Sequence, residues 1–114
     1  MRILCLGIGA LGSNLCANLA ADSRGELDIT VLDFDNVEER NLRGTQYYFP
    51  EQEEQFKSEA LQYSLYKHFN KEITIITEKL TDENISLLSN FNLIVDTFDN
   101  FQSRKLVQDY CISH

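Results

Sequence analysis

The chain has 114 residues, 43% hydrophobic and 25% charged, with a formal net charge of −8. That suits one small domain with a modest core, while the acidic balance repels phosphate backbones and argues against nucleic-acid binding. No apolar run approaches the roughly 18 residues of a membrane span, and the N-terminus lacks the form of a signal peptide.

Residues 2–6 (RILCL) form an apolar run ending at Gly7 and read as a buried strand. Leu11, Leu15 and Leu19, with Cys16 beside them, predict a helix over 11–21. Residues 27–33 (LDITVLD) alternate and are β-branched, which predicts a second strand. Residues 34–50 are irregular and read as a loop with room for one helical turn. From near Pro50 to 69 a helix is expected, with Phe56, Ala60, Leu61, Leu65 and Phe69 close to one face. Glu51, Glu53, Glu54 and Glu59 would form its solvated side. Residues 72–77 predict a third strand, 82–89 a short helix, 92–96 a fourth strand and 100–112 a closing helix. His68 falls at a helix end, where its charge suits the dipole. Alternation of strands and helices predicts an α/β fold. It would be a Rossmann-like parallel sheet in the order 3-2-1-4, with helices on both faces. Three widely spaced cysteines, Cys5, Cys16 and Cys111, make neither a disulfide framework nor a zinc pair. They are expected as buried thiols in a reducing cytoplasm.

Gly7-Ile8-Gly9-Ala10-Leu11-Gly12 is G-x-G-x-x-G between a strand and a helix. Such glycines permit the tight turn, the approach of backbone to phosphate, and close helix–strand packing. The helix N-terminus offers free N–H groups to an anion. Asp33 follows at the end of the second strand, the place of an acid that holds ribose hydroxyls. These features point to a nucleotide and fit NAD as well as ATP.

Four further segments stand in register. They are Leu32-Asp33-Phe34-Asp35-Asn36-Val37; Asn41-Leu42, eight residues past Asp33; Lys57, 16 residues past Asn41; and Asp96-Thr97-Phe98-Asp99-Asn100 with Arg104. Together they resemble the ThiF/MoeB/HesA family, which includes ubiquitin-activating enzymes and bacterial sulfur-carrier adenylyltransferases. The resemblance covers nearly all of residues 1–114 and implies the nucleotide-binding half of an adenylation domain, with an incomplete sheet. It implies ATP and Mg²⁺ as cofactors. Its partners would be a small carrier protein ending in Gly-Gly and a second subunit, either a copy of itself or another chain. Lys57 would neutralise phosphate and Asp99 would hold Mg²⁺. Asp33 would bind ribose. Asp35, Arg40, Asn41, Arg43 and Asn100 would lie along the nucleotide with Gly7, Gly9, Ala10 and Gly12.

The chain also departs from that pattern. Gly44 stands where the family has an arginine, and Arg43 or Arg40 is the expected substitute. The family's glycine before the lysine is replaced by Glu53-Glu54-Gln55-Phe56. The preceding helix, the C-terminal sheet, the zinc cysteines and the catalytic cysteine of some members are not represented. The expected function is ATP-dependent activation of a carrier C-terminus in the full-length protein, with little turnover by this segment alone. A nucleotide-binding scaffold without turnover and an NAD-dependent oxidoreductase are the alternatives.

Overall fold

The computed structural model describes residues 1–22, 26–98 and 101–114. Strands β1 (Arg2–Leu6), β2 (Asp28–Leu32), β3 (Thr74–Ile76) and β4 (Leu93–Asp96) alternate with helices α1 (Ala10–Asp22), α2 (Lys57–Phe69) and α3 (Phe101–Ser113). All strand pairs are parallel, in the order β3-β2-β1-β4. This is the expected order, because right-handed crossovers carry the chain first to one side of β1 and then to the other.

Side chains alternate across the sheet and divide the core in two. Ile3, Cys5, Ile29 and Val31 pack against Cys16, Ala17 and Ala20 of α1 and Ala60, Leu61 and Leu65 of α2. Leu4, Leu6 and Leu32 pack on the opposite face against Leu80, Leu88 and Val107 of the chain leading into and through α3. Helices therefore cover both faces. The carboxyl ends of β1, β2 and β4 open onto one rim, where open α/β sheets take their ligands.

The structure corrects several expectations. The buried face of α1 is Gly12, Ser13, Cys16, Ala17 and Ala20, not the leucine stripe, and Leu11 is 70% exposed. Small residues face the sheet, and of the leucines Leu19 packs at the margin of that core. The helix expected from Pro50 starts only at Lys57. Pro50–Gln52 is a 3-10 turn, and Glu54 adopts a left-handed backbone with φ 74°. Here the backbone pairs with the strand exit: Val37 N donates to Gln55 O, Glu54 N to Val37 O and Lys57 N to Asp35 O. Groups committed to that pairing cannot form a helix. Glu51, Glu53 and Glu54 are thus exposed on a turn, and only Glu59 lies on α2. Phe56 and Phe69 are exposed rather than part of the buried stripe. The short helix expected over 82–89 is a 3-10 segment, Ile85–Asn90. Its approach is set by Thr81 N donating to Asn84 Oδ1 and Glu83 N to Thr81 Oγ1, at 2.7 and 3.2 Å. Cys5 and Cys16 are buried, but Cys111 is exposed on α3. The Cys5–Cys16 hydrogen bond and burial raise the Cys16 thiol, which stays protonated.

Candidate nucleotide site

The glycine loop follows β1. Gly7 has φ +78°, and a Cβ there would lie 2.9 Å from the Phe98 ring. A Cβ on Gly12 would lie 2.2 Å from Gly7 O and 2.6 Å from Thr97 Oγ1. Both positions exclude a side chain for reasons internal to the fold. Gly9 differs, since a Cβ built there meets nothing within 4 Å. Packing gives no reason for glycine at 9; room for a ligand does.

Asp33 ends β2 beside this loop and is 7% exposed. Its Oδ2 accepts from Ile8 N at 2.9 Å and its Oδ1 from Asp35 N at 2.7 Å. An ionised carboxylate has about four acceptor positions, so each oxygen keeps capacity for a further donor such as a ribose hydroxyl. Burial pushes the Asp33 carboxyl above its ordinary range. The two backbone N–H groups and the positive charge of Lys57 oppose that rise.

Lys57 is the first residue of α2, yet it is only 7% exposed. The backbone bond from Lys57 N to Asp35 O, 2.9 Å, sets it at the rim beside the end of β2. Asn41 is buried in a 3-10 turn over Glu39–Leu42, within the stretch expected to hold one helical turn. Its Oδ1 accepts from Glu38 N at 2.7 Å, which leaves its NH₂ as the group it can offer a ligand.

These residues meet in a cleft of about 490 Å³. Of the sequence-derived candidates, Gly7, Gly9, Ala10, Asp33, Asp35, Arg40, Asn41 and Lys57 line it. Gly12 acts behind the cleft, as a packing position. Arg43 is exposed and does not line the cleft. Arg40 does line it, though its Nε pairs with Glu38 Oε2 at 2.9 Å. Gly44 has φ +85° and open space around it. Arg104 is exposed on α3 and does not line the cleft, while its neighbour Ser103 does. Asp99 and Asn100 lie outside the described residues. His68 is not at the cleft; its Nδ1 lies 2.6 Å from the Tyr47 hydroxyl.

Sequence reasoning missed Phe34, Gln46 and Lys79, which also line the cleft. Phe34 sits between two chosen acids and could have been read from that position. Lys79 follows β3, and nothing in its local sequence marks it.

The strand order and the glycine-loop cleft define a Rossmann-like α/β domain. The chain belongs to the ThiF family, whose model matches residues 1–114. The adenylyltransferase and sulfurtransferase MOCS3 of Anopheles gambiae is 34% identical over 113 residues, 96% of this chain and 25% of that protein. Its counterpart from Aedes aegypti is 31% identical over the same shares. The chain thus spans about a quarter of the length of these relatives. Among solved structures, E. coli tRNA N6-threonylcarbamoyladenosine dehydratase, TcdA, in complex with ATP, superposes with a TM-score of 0.85 at 22% identity. The match covers 98% of this chain and 46% of that one. E. coli MccB with AMPCPP and MccA gives a TM-score of 0.78 at 21% identity, over 98% and 34%. At these identities the structural likeness carries the fold alone.

Proposed function

We propose that residues 1–114 supply the nucleotide half of an ATP-dependent adenylyltransferase that activates the C-terminal carboxylate of a ubiquitin-like or sulfur-carrier protein. The observation that carries this reading is Gly9, open to the cleft beside an α-helix N-terminus and the buried acid Asp33. Membership of the ThiF family supports it, as does the name of the MOCS3 relatives. The ATP bound to TcdA and the AMPCPP bound to MccB, in chains of the same fold, support the choice of nucleotide.

In adenylation a carboxylate oxygen attacks the α-phosphorus of ATP. The new O–P bond forms as the bond to the pyrophosphate oxygen breaks, giving an acyl adenylate and pyrophosphate. Charge builds on phosphate oxygens, so the site needs positive groups and hydrogen-bond donors more than a base. The first amides of α1 receive phosphate. Lys57 opposes the phosphate charge at the rim, Asp33 accepts from the ribose, and the NH₂ of Asn41 donates to the nucleotide. Mg²⁺ would add charge neutralisation. It prefers one or two carboxylates together with phosphate oxygens and water; Asp35 at the cleft and Asp99, from the resemblance, are the residues to hold it. A second reading, a nucleotide-binding module without turnover, draws on Gly44, where the loop carries no side chain at all.

Calorimetry on residues 1–114 tests the binding step: ATP with Mg²⁺ should bind better than NAD⁺. Tight NAD⁺ binding with no ATP binding would overturn the reading. ATP–pyrophosphate exchange by the longer protein, with carriers ending in Gly-Gly, separates turnover from a binding module. In that assay Asp99→Asn should lower Mg²⁺-dependent exchange strongly while the melting temperature holds.

A further inference from the structure

At the amino ends of the strands, opposite the nucleotide rim, α2 carries an uncovered aromatic face. Tyr63 and Tyr66 are 59% and 54% exposed, on the side of the helix that also bears Gln62. Gln62 Nε2 donates to Ile73 O at 3.0 Å, so this side stands over the start of β3, the outer edge of the sheet. Two open hollows meet there. One, of about 430 Å³, is lined by Gln62, Tyr63, Tyr66 and Glu72. The other, of about 500 Å³, shares Tyr66 and Glu72 and adds Asp28 and Lys71. Their charges favour a cation. Glu72 is exposed and has no hydrogen bond or ion pair among the described residues. Lys71 Nζ is committed to Leu27 O. Asp28 has only a long pairing with Arg2 Nε, at 3.7 Å. Lys67 Nζ lies 5.8 Å from the centroid of the Tyr63 ring, so this face already takes a cation.

We propose that this patch docks an extended basic segment of a partner protein, seating one arginine side chain in each hollow with Tyr66 and Glu72 shared between them. A guanidinium stacks on aromatic faces and pairs with carboxylates, which are the two groups the hollows offer. On an extended peptide, side chains two residues apart leave the same face about 6.6 Å from each other, so an Arg-x-Arg spacing suits adjacent hollows. The formal net charge of −8 selects such a partner. A second copy of this acidic chain, or a nucleic acid, would meet repulsion instead. Asp28 begins β2 and Asp33 follows its end, so a partner held at the patch leaves the nucleotide cleft open. The inference therefore stands apart from the ATP reading.

The test titrates the chain, at physiological salt, with a short acetylated peptide of alternating arginine and valine, and with its counterpart carrying glutamate for arginine. The arginine peptide should bind and the glutamate peptide should not. Its binding should shift the amide resonances of Tyr63, Tyr66 and Glu72 and leave those of Gly9 and Asp33 in place. Glu72→Gln should weaken the arginine peptide about fivefold. Tyr66→Ala, which removes a wall of both hollows, should weaken it about tenfold. Glu51→Gln, the same loss of charge on a distant turn, should stay within about twofold of wild type. Equal weakening by Glu72→Gln and Glu51→Gln overturns the inference, because the attraction is then only that of net charge. No binding of the arginine peptide to wild type overturns it as well. So do shifts at the same residues that depend on protein concentration without peptide, which would assign the patch to a second copy.

Discussion

The cleft is walled by two connections built in opposite ways. The loop from β1 to α1 is short, and backbone contact sets it: Gly7 against Phe98, Gly12 against Gly7 O. Thr97, just past the end of β4, clasps it, its backbone N and Oγ1 both donating to Leu6 O at 2.9 Å and its Oγ1 also to Gly7 O. The connection from β2 to α2 runs over residues 33–56 and is held by scattered side chains. Asn41 accepts from Glu38 N within its own turn, while Gln52 donates to Ala60 O and the Tyr48 hydroxyl to Ile8 O. A loop fixed by sterics tolerates no change at its contact points. One fixed by separate hydrogen bonds loses stability in increments.

The largest effects should fall within the glycine loop and split it. Gly12→Val forces a side chain into Gly7 O and should cost about 3 kcal/mol or more, enough to unfold a marginal domain. Gly9→Val should melt near wild type yet lose ATP affinity by about 100-fold or more, about 2.7 kcal/mol. Equal melting losses in the two variants would erase the distinction between packing and ligand glycines. Next comes Lys57, at the far end of the other connection. In the longer protein Lys57→Ala should slow ATP–pyrophosphate exchange by about 100-fold, roughly 3 kcal/mol of lost charge stabilisation. Exchange at the wild-type rate would end its assignment.

Tyr48 links the two connections through Ile8 O. Tyr48→Phe should leave that carbonyl unpaired and lower stability by about 1–2 kcal/mol, read as a melting shift of several degrees. No shift would mean that the connections are independent. Acidity gives a smaller signal of definite sign. Burial raises the Asp33 carboxyl, so the folded chain keeps that proton to higher pH than the unfolded chain. The contribution of Asp33 to stability therefore falls as pH rises from the ordinary carboxylate value toward the raised one. ATP affinity should run the other way and weaken on acidification, because ribose hydroxyls need the ionised acceptor. A flat affinity profile across that interval would remove Asp33 from ribose binding. The smallest effect belongs to Arg43→Ala, which should leave ATP affinity within about twofold, since an exposed charge off the site contributes little. A loss nearing tenfold would show that the connection rearranges when nucleotide binds.

The glycine loop was legible because its rule is local. Gly7, Gly9 and Gly12 stand at fixed offsets between an apolar run and a helical pattern, and each spacing has a steric meaning. The connection after Asp33 was legible only at its ends. The segment before Lys57 is polar and helix-compatible in composition, but pairing with Asp35 and Val37 delays the helix to residue 57. Arg43 had the right charge one residue from the expected place, and the direction of the chain after Asn41 took it out of the cleft.

Sequence by itself determined the parallel order β3-β2-β1-β4, the glycine loop with Asp33 beside it, and the family register of Asn41 and Lys57. Periodicity and residue spacing govern the first two, the resemblance to the family carries the third, and right-handed crossovers leave few arrangements of the sheet to choose among. Only the tertiary structure decided that Gly9 opens to the cleft while Gly12 is sealed against Gly7. It alone buried Lys57, excluded Arg43 and placed Gln46 and Lys79 on the rim. Such facts depend on distances between segments far apart in the chain, and no local pattern carries them.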